Sequence, residues 1–359
     1  MMVAQKVIKK IPCIALFLVF CFLSAEGLRV LPVMNFHHTP TSSDSFINIM
    51  MPLLQKNGVI FVDDEPDLVL ICGGASESLC KKFSTFPVVI LDEEEYASLS
   101  SGARKCLKKT NVRAVFKNTI LRPLEKYNQC FVRNRYHFRV INDMCKFFAV
   151  ERGGYLTRRE LGKIQCLLWD AFRSFLRIDL ETKKNEIINF DEDRSVDVFF
   201  AGSTDRRDIV GWHRQQVVDQ TRKIQDRKVI TYEGRLPIDE YFAFLKSSKI
   251  AVSPWGNGEW CWRDYEAILS GAVLIKPDTS FVQSVPDLYK NNFYYVPCKA
   301  DFSDLEEKIN YVLNNYSKFT AMRKRARKLL VDNWDYERHA KKLAYALKKV
   351  FDEFSRLKK

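Results

Sequence analysis

The stretch Ile250–Pro277, IAVSPWGNGEWCWRDYEAILSGAVLIKP, decides how the rest of the chain is read. Ile250, Ala251 and Val252 end an apolar run, Pro254–Gly258 breaks it, and Arg263–Ser270 has helical spacing until Gly271 stops it as a C-cap. Ala272–Ile275 then reads as a short buried strand. Strand, glycine loop, helix and strand in succession make a βαβ unit. In such units a ligand sits beyond the carboxyl end of the first strand, against the helix N-terminus, whose unpaired N–H groups favour anions. The loop is therefore where chemistry is expected.

Working outward, the same rhythm continues on both sides. Val196–Phe200 is a buried strand ending in Ala201-Gly202-Ser203-Thr204, Val229–Tyr232 and Asn292–Val296 are further strands, and helices are predicted over 211–223, 238–247, 305–314, 318–330 and 335–355. Upstream, strands are predicted at 28–36, 58–62, 67–72, 87–91 and 112–116, with a helix over 46–55. From Ile120 to Glu192 the period-two pattern is lost; there Thr157, with Glu160 three residues on, is a capping box that opens a predicted helix running to Leu176. Strands alternating with helices argue parallel sheets covered on both faces. The expected fold class is thus α/β, with doubly wound domains over 28–182 and 196–359 joined by a charged linker at 183–195.

A chain of 359 residues, 47% hydrophobic, has the material for two such cores. Its net charge of +13 fits nucleic acid, a membrane surface or a small anionic substrate. The basic runs at Arg323–Lys328 and Lys341–Lys349 lie in amphipathic C-terminal patterns and read as solvated helix faces, which argues against nucleic acid. At the N-terminus Lys6, Lys9 and Lys10 precede an apolar run from Ile11 to Leu23, and Ala25 and Gly27 are the small residues a signal peptidase reads. Residues 1–27 are expected to be a signal peptide cleaved after Gly27, or else an uncleaved signal anchor, placing the protein in the secretory-pathway lumen or in association with a membrane. Cys13 and Cys21 fall in that run; the other eight cysteines include no CxxC pair or Cys/His cluster at zinc spacing, so neither metal nor cofactor is expected. In an oxidising lumen some of the eight would pair, with a connectivity that spacing does not give.

Glu259, Arg263 and Glu266 stand at spacings that stack side chains on one helix face, a polar stripe where a core helix would be apolar. A carboxylate such as Glu266 is the natural acceptor for a vicinal diol, and a guanidinium such as Arg263 meets phosphate bidentately. Gly256 and Gly258 let backbone approach a ligand closely.

On these residues, Ser253–Ser280 resembles the donor-binding segment of the GT-B glycosyltransferases, family 1-like, most specifically in RDYEAILSGAVLIKPDTS. The exostosin-like and lumenal O-glucosyltransferase groups share a looser version. The group carries two glutamates written E-x7-E; Glu266 matches the second, on the nucleotide ribose, and Glu259, matched to the first, near the donor sugar, stands one residue closer than the pattern has. Phe199-Phe200-Ala201-Gly202-Ser203 resembles the first strand and glycine turn of the nucleotide-binding half, and Tyr232-Glu233-Gly234-Arg235 resembles its basic strand end. The resemblance covers 196–347. It implies a GT-B fold, two Rossmann-like domains facing a cleft, and transfer of a hexosyl or pentosyl group from a nucleotide-diphosphate sugar to a hydroxyl on a glycan, protein or lipid. It also implies that this happens without a metal, the leaving diphosphate being stabilised by arginines and a helix N-terminus. Donor contacts then fall to Gly202, Ser203, Arg235, Gly258, Arg263, Glu266 and Lys276, with Glu259 beside the sugar. Asp191-Glu192-Asp193 matches the DxD of metal-dependent enzymes but precedes its strand, and reads as linker. If the mechanism inverts, a general base would come from across the cleft, where His37 and His38 end the first strand, or from His213 on the near side. The competing reading is an exported bilobal solute-binding protein that catalyses nothing.

Overall fold

The computed structural model describes residues 27–35, 49–73, 75–92, 94, 96–132, 135–152, 154–168 and 178–358. The expected signal segment up to residue 26, and both His37 and His38, lie outside the described residues.

The N-terminal half contains strands β1 (Leu28–Asn35), β2 (Val59–Phe61), β3 (Leu68–Gly73), β4 (Val88–Asp92), β5 (Val112–Lys117), β6 (Thr119–Leu121), β7 (Cys130–Phe131), β8 (Glu151–Arg152) and β9 (Ile164–Cys166). Its helices are α1 (Met51–Lys56), α2 (Glu77–Lys82), α3 (Ser101–Leu107), α4 (Tyr136–Cys145) and α5 (Arg158–Leu161), followed by α6 (Ile178–Asn185). Six strands form a parallel sheet in the order β2-β1-β3-β4-β5-β9. The central strand β3, LVLICG, is apolar at nearly every position because both of its faces are covered. Its alternate residues serve different cores, Val69 and Ile71 one, Leu68, Leu70 and Cys72 the other.

The second half repeats the plan with β10 (Val196–Ala201), α7 (Ile209–Thr221), β11 (Val229–Tyr232), α8 (Ile238–Ser247), β12 (Ser248–Val252), α9 (Trp262–Leu269), β13 (Val273–Pro277), β14 (Val282–Ser284), β15 (Val296–Cys298), α10 (Leu305–Asn314), α11 (Thr320–Asn333) and α12 (Tyr336–Lys358). Its parallel sheet runs β11-β10-β12-β13-β15. In each sheet the first strand lies between the second and the third, so the strand order reverses beside it. That reversal is the switch point where connections leave on opposite faces and open a crevice. In the second half it lies between β10 and β12, at the loops that follow Ala201 and Val252. Gly271, at φ +75, ends α9 as expected, its N–H donating to the Ile268 carbonyl at 3.0 Å.

Several expectations are corrected. The capping box at Thr157 and Glu160 is present, but its helix is only α5, and the chain after Gly162 becomes β9, paired with β5. Edge-strand pairing overrides the helical periodicity there. The expected strand at 292–296 is shifted to β15, with Asn292 at φ 57. Arg323, read as part of a solvated face, is 2% exposed: its Nε donates to the Gly271 carbonyl at 2.6 Å and its Nη1 to that of Phe190 at 3.1 Å. Together with Arg327, whose Nη2 donates to the Glu186 carbonyl at 2.6 Å, it fastens the linker to the end of α9.

The halves are also stitched directly. β14 pairs antiparallel with β6, the Arg122 N–H donates to the Phe281 carbonyl at 2.7 Å, and Arg122 Nη1 lies 3.2 Å from Asp287 Oδ2. The final helix, α12, returns to the N-terminal sheet, where Ala340, Leu343, Ala344, Leu347 and Val350 join the core of Leu28, Val30 and Leu70. Among the described residues, no helix is long and apolar enough to cross a membrane.

Candidate functional site

The site forms at the carboxyl ends of β10 and β12. After β10 the chain turns at Gly202, whose N–H donates to the Tyr232 carbonyl at 3.0 Å and whose carbonyl accepts from the Gly234 N–H at 3.2 Å. A Cβ on Gly202 would stand 3.1 Å from Arg263 Nη2 and 3.1 Å from Phe200 Cζ, so the guanidinium packs where any other residue would project. Arg263 Nη2 donates to the Ala201 carbonyl at 3.0 Å, and its Cζ lies 5.3 Å from the centroid of the Phe200 ring. Its Nε has no hydrogen-bond partner among the described residues. Burial alone would weaken this charge, but Cys261, Tyr241, Glu266 and Asp264 around it hold the pKa above the usual guanidinium value.

A second guanidinium, Arg214 on α7, comes to the same turn, its Nη1 donating to the Ser203 carbonyl at 2.9 Å. Burial first, and then repulsion from Arg263, bring its pKa down to about 10, and its Nε is likewise unpartnered among the described residues. Arg206 adds an exposed third cation, reaching Asn257 Oδ1 at 3.4 Å and Asp208 at 2.6 Å. Glu266 is 6% exposed and accepts a 2.7 Å hydrogen bond from the Tyr241 hydroxyl, delivered by α8. The turn is thus electropositive on one side and bounded by a carboxylate on the other.

Beneath the loop lies a buried polar hub. Asp264 accepts from Ser253 Oγ at 2.6 Å, Tyr289 Oη at 2.9 Å and the Cys261 N–H at 3.2 Å, and its Oδ2 is 3.1 Å from Lys276 Nζ. It ties the end of β12, the start of α9 and the middle of β13 to one point. The first turn of α9 therefore already faces a carboxylate of its own.

Glu259 is fully buried between the two halves. Its Oε2 accepts from the Ala97 N–H at 2.8 Å and its Oε1 lies 3.1 Å from His137 Nδ1, while His137 Nε2 is 3.3 Å from the Gly256 carbonyl. Burial works to raise its pKa, but His137 and the backbone N–H groups of Ala97 and Glu259 itself outweigh this, leaving it below the usual carboxylate value.

Of the residues singled out from sequence, Gly202, Ser203, Arg263 and Glu266 come together at this turn. Gly258 is buried in the loop, its carbonyl accepting from the Gly256 N–H at 3.1 Å. Arg235 is exposed on the connection after β11, and Lys276 is fully buried against Asp264. His213 does not reach the cleft: it is fully buried beside Trp255 and Phe302, with Nε2 2.8 Å from the Ala300 carbonyl, and burial lowers its pKa to about 3. Sequence reasoning missed Arg214, Tyr241, Asp264 and His137. Arg214 was within reach, since it lies in the helix that follows the glycine turn at Gly202. Tyr241 and His137 had no local signal. Among the described residues, no group of three or more His, Cys, Asp or Glu could hold a metal ion.

Residues 189–344 match a family profile described as glycosyl transferase-like. No curated protein sequence matches the chain at a significant level. Among solved structures, it is similar to a glycosyltransferase from Rickettsia africae ESF-5, with TM-score 0.47 and 11% identity over 90% of this chain and 99% of that one. It is also similar to an alpha1,3-fucosyltransferase, with TM-score 0.41 and 13% identity over 93% of each chain. A third is an alpha-glucosyltransferase solved with UDP, at TM-score 0.41 and 9% identity over 90% of this chain and all of the other (100%). Two doubly wound halves, the second matching the glycosyl transferase-like profile, give the protein a GT-B-like architecture.

Proposed function

We propose that the protein is a glycosyltransferase that binds a nucleotide-diphosphate sugar at the turn after β10 and passes the sugar to a hydroxyl of an external acceptor. The observation that carries this reading is the pair of half-buried guanidiniums, Arg263 and Arg214, converging on Ala201–Ser203 at the switch point of the second sheet. Two fixed cations at one turn suit a diphosphate, whose negative charge grows as the glycosidic bond breaks and the anomeric carbon becomes oxocarbenium-like. Glu266, oriented by Tyr241, takes the ribose hydroxyls; Gly202, Ser203 and Gly258 supply close backbone; Arg235, on the rim, meets the outer phosphate. Lys276 acts from below, holding Asp264 and so the loop. Glu259 acts on the sugar side by keeping that loop against the N-terminal half. The acceptor is activated from the N-terminal half, where His37 and His38 follow β1. Export or membrane association through residues 1–27 is part of the same reading.

The test is thermal denaturation with UDP-, GDP- and ADP-sugars, since a ligand bound only by the folded chain raises the transition temperature. One donor is expected to raise it, and Arg263→Ala together with Arg214→Ala to abolish the effect. No shift with any donor would overturn the reading.

A further inference from the structure

Cys80 on α2 and Cys106 on α3 have no exposed surface and face each other across two packed helices. Cys106 Sγ lies 3.2 Å from the Ser76 carbonyl oxygen, the same oxygen that accepts the Cys80 N–H at 3.1 Å. That shared oxygen brings the two cysteines side by side between the helices. The close approach is built in: a Cβ on Gly102 would stand 2.0 Å from the Ala75 carbonyl oxygen, so only glycine lets α3 lie this near the loop that starts α2. Lys109 Nζ, 2.7 Å from Glu77 Oε1, and Asn111 Nδ2, 3.0 Å from the Cys80 carbonyl, fix the pair from the outside. Elsewhere, the thiols of Cys145, Cys166 and Cys261 reach oxygen acceptors at Ile141, Asn118 and Asp264.

We propose that Cys80 and Cys106 are a disulfide site, oxidised when the chain folds in the oxidising compartment to which its N-terminal segment is expected to direct it. The oxidant is a small-molecule or protein disulfide, for which glutathione disulfide is the simplest case. Cys80 thiolate attacks one sulfur of glutathione disulfide and releases one glutathione thiolate. Cys106 then loses its proton and attacks Cys80 Sγ, forming the protein S–S bond and releasing the second glutathione. Two protein thiols and one glutathione disulfide thus give one protein disulfide and two glutathione thiols. The same balance holds if Cys106 is the first to attack. Because both sulfurs are fully covered in the folded chain, the exchange takes place before α2 and α3 close, or when they open.

The experiment uses the full chain, folded in a reduced/oxidised glutathione buffer and then denatured in excess N-ethylmaleimide without reduction. Digestion with trypsin and a glutamyl endopeptidase, which cuts after Glu77 and so separates Cys80 from Cys72, leaves Ser78–Lys81 and Cys106–Lys108. The expected product is these two peptides joined, two hydrogen masses below their sum, with neither carrying the label. The oxidised chain is also expected to melt at a higher temperature than the same chain after reduction, a difference lost in Cys80→Ala/Cys106→Ala. Labelling of both cysteines in most of the folded, oxidised chain, or a link from either one to a different cysteine, would overturn the proposal. Neither result depends on glycosyl transfer.

Discussion

The carboxylate of Glu266 lies on a helix face that turns away from solvent, at hydrogen-bonding distance from the Tyr241 hydroxyl. If it holds a ribose diol, Glu266→Ala is expected to remove the donor-induced rise in transition temperature. Tyr241→Phe, which loses one charge-assisted hydrogen bond of about 1.5–3 kcal/mol, should weaken donor affinity roughly tenfold or more while leaving the fold intact. Titration calorimetry with the responding donor checks both, and unchanged affinity in Glu266→Ala would remove Glu266 from the site. Glu259 behaves differently because it is buried between the halves. Glu259→Ala takes the carboxylate from the buried Ala97 N–H and His137 Nδ1, at a cost of about 1–3 kcal/mol for each stranded group. Its main effect is therefore expected on unfolding, with a lower denaturant midpoint. The resemblance placed Glu259 beside the sugar although its spacing is one residue short of the pattern; only the contact with α4 reveals its partner.

At the scale of the element, the unit from β12 to β13 behaves as one piece because Asp264 joins its three segments. Asp264→Asn would leave Lys276, with no exposed surface, lacking its counter-charge. Breaking a buried pair in this way costs on the order of 3–5 kcal/mol. A fall of that size in the unfolding free energy, with loss of donor binding, is expected. Asp264→Asn melting like the wild type would mean that the pair holds nothing together. The element was legible in outline, because a strand, a glycine break, a helical period and a glycine stop follow each other within it. Its interior was not legible, since Asp264, one residue after Arg263, falls off the stripe and in an isolated helix reads as a lone polar residue. The helix predicted to Leu176 failed for the converse reason: β5 offered Ile164–Cys166 a strand partner that no local pattern announces.

For the whole molecule, two features reach across the halves. The first is α12, whose apolar residues complete the N-terminal core from the far end of the chain. Removing residues 336–358 is expected to uncover Leu28, Val30 and Leu70 and to make the N-terminal half, not the second, susceptible to proteolysis. Limited digestion with mass analysis distinguishes the two. The second is pH dependence. Burial lowers the pKa of His213 to about 3 and that of His339 to about 4, both below the unfolded value of about 6.5. Between these values the unfolded chain binds more protons than the folded one, so stability is full above about pH 6.5 and falls as the pH drops. Each histidine contributes a slope of ~1.4 kcal/mol per pH unit until its folded pKa is passed. The transition temperature is expected to decline from pH 7 to pH 5, and His213→Gln to flatten the decline; a level profile in the wild type would contradict it.

The alternation of apolar strands with helices, the glycine turn at Gly202 and the polar stripe through Arg263 and Glu266 were determined by the sequence alone, because they follow from periodicity and backbone geometry over a few residues. What tertiary structure decided is which of these residues meet. Arg214 joins Arg263, Tyr241 joins Glu266, His137 takes Glu259, Arg323 leaves solvent for the linker, and α12 crosses to the other sheet. These pairs are separated by tens to hundreds of residues, and in each the partner is set by the packing of whole elements, which no local pattern in the sequence encodes.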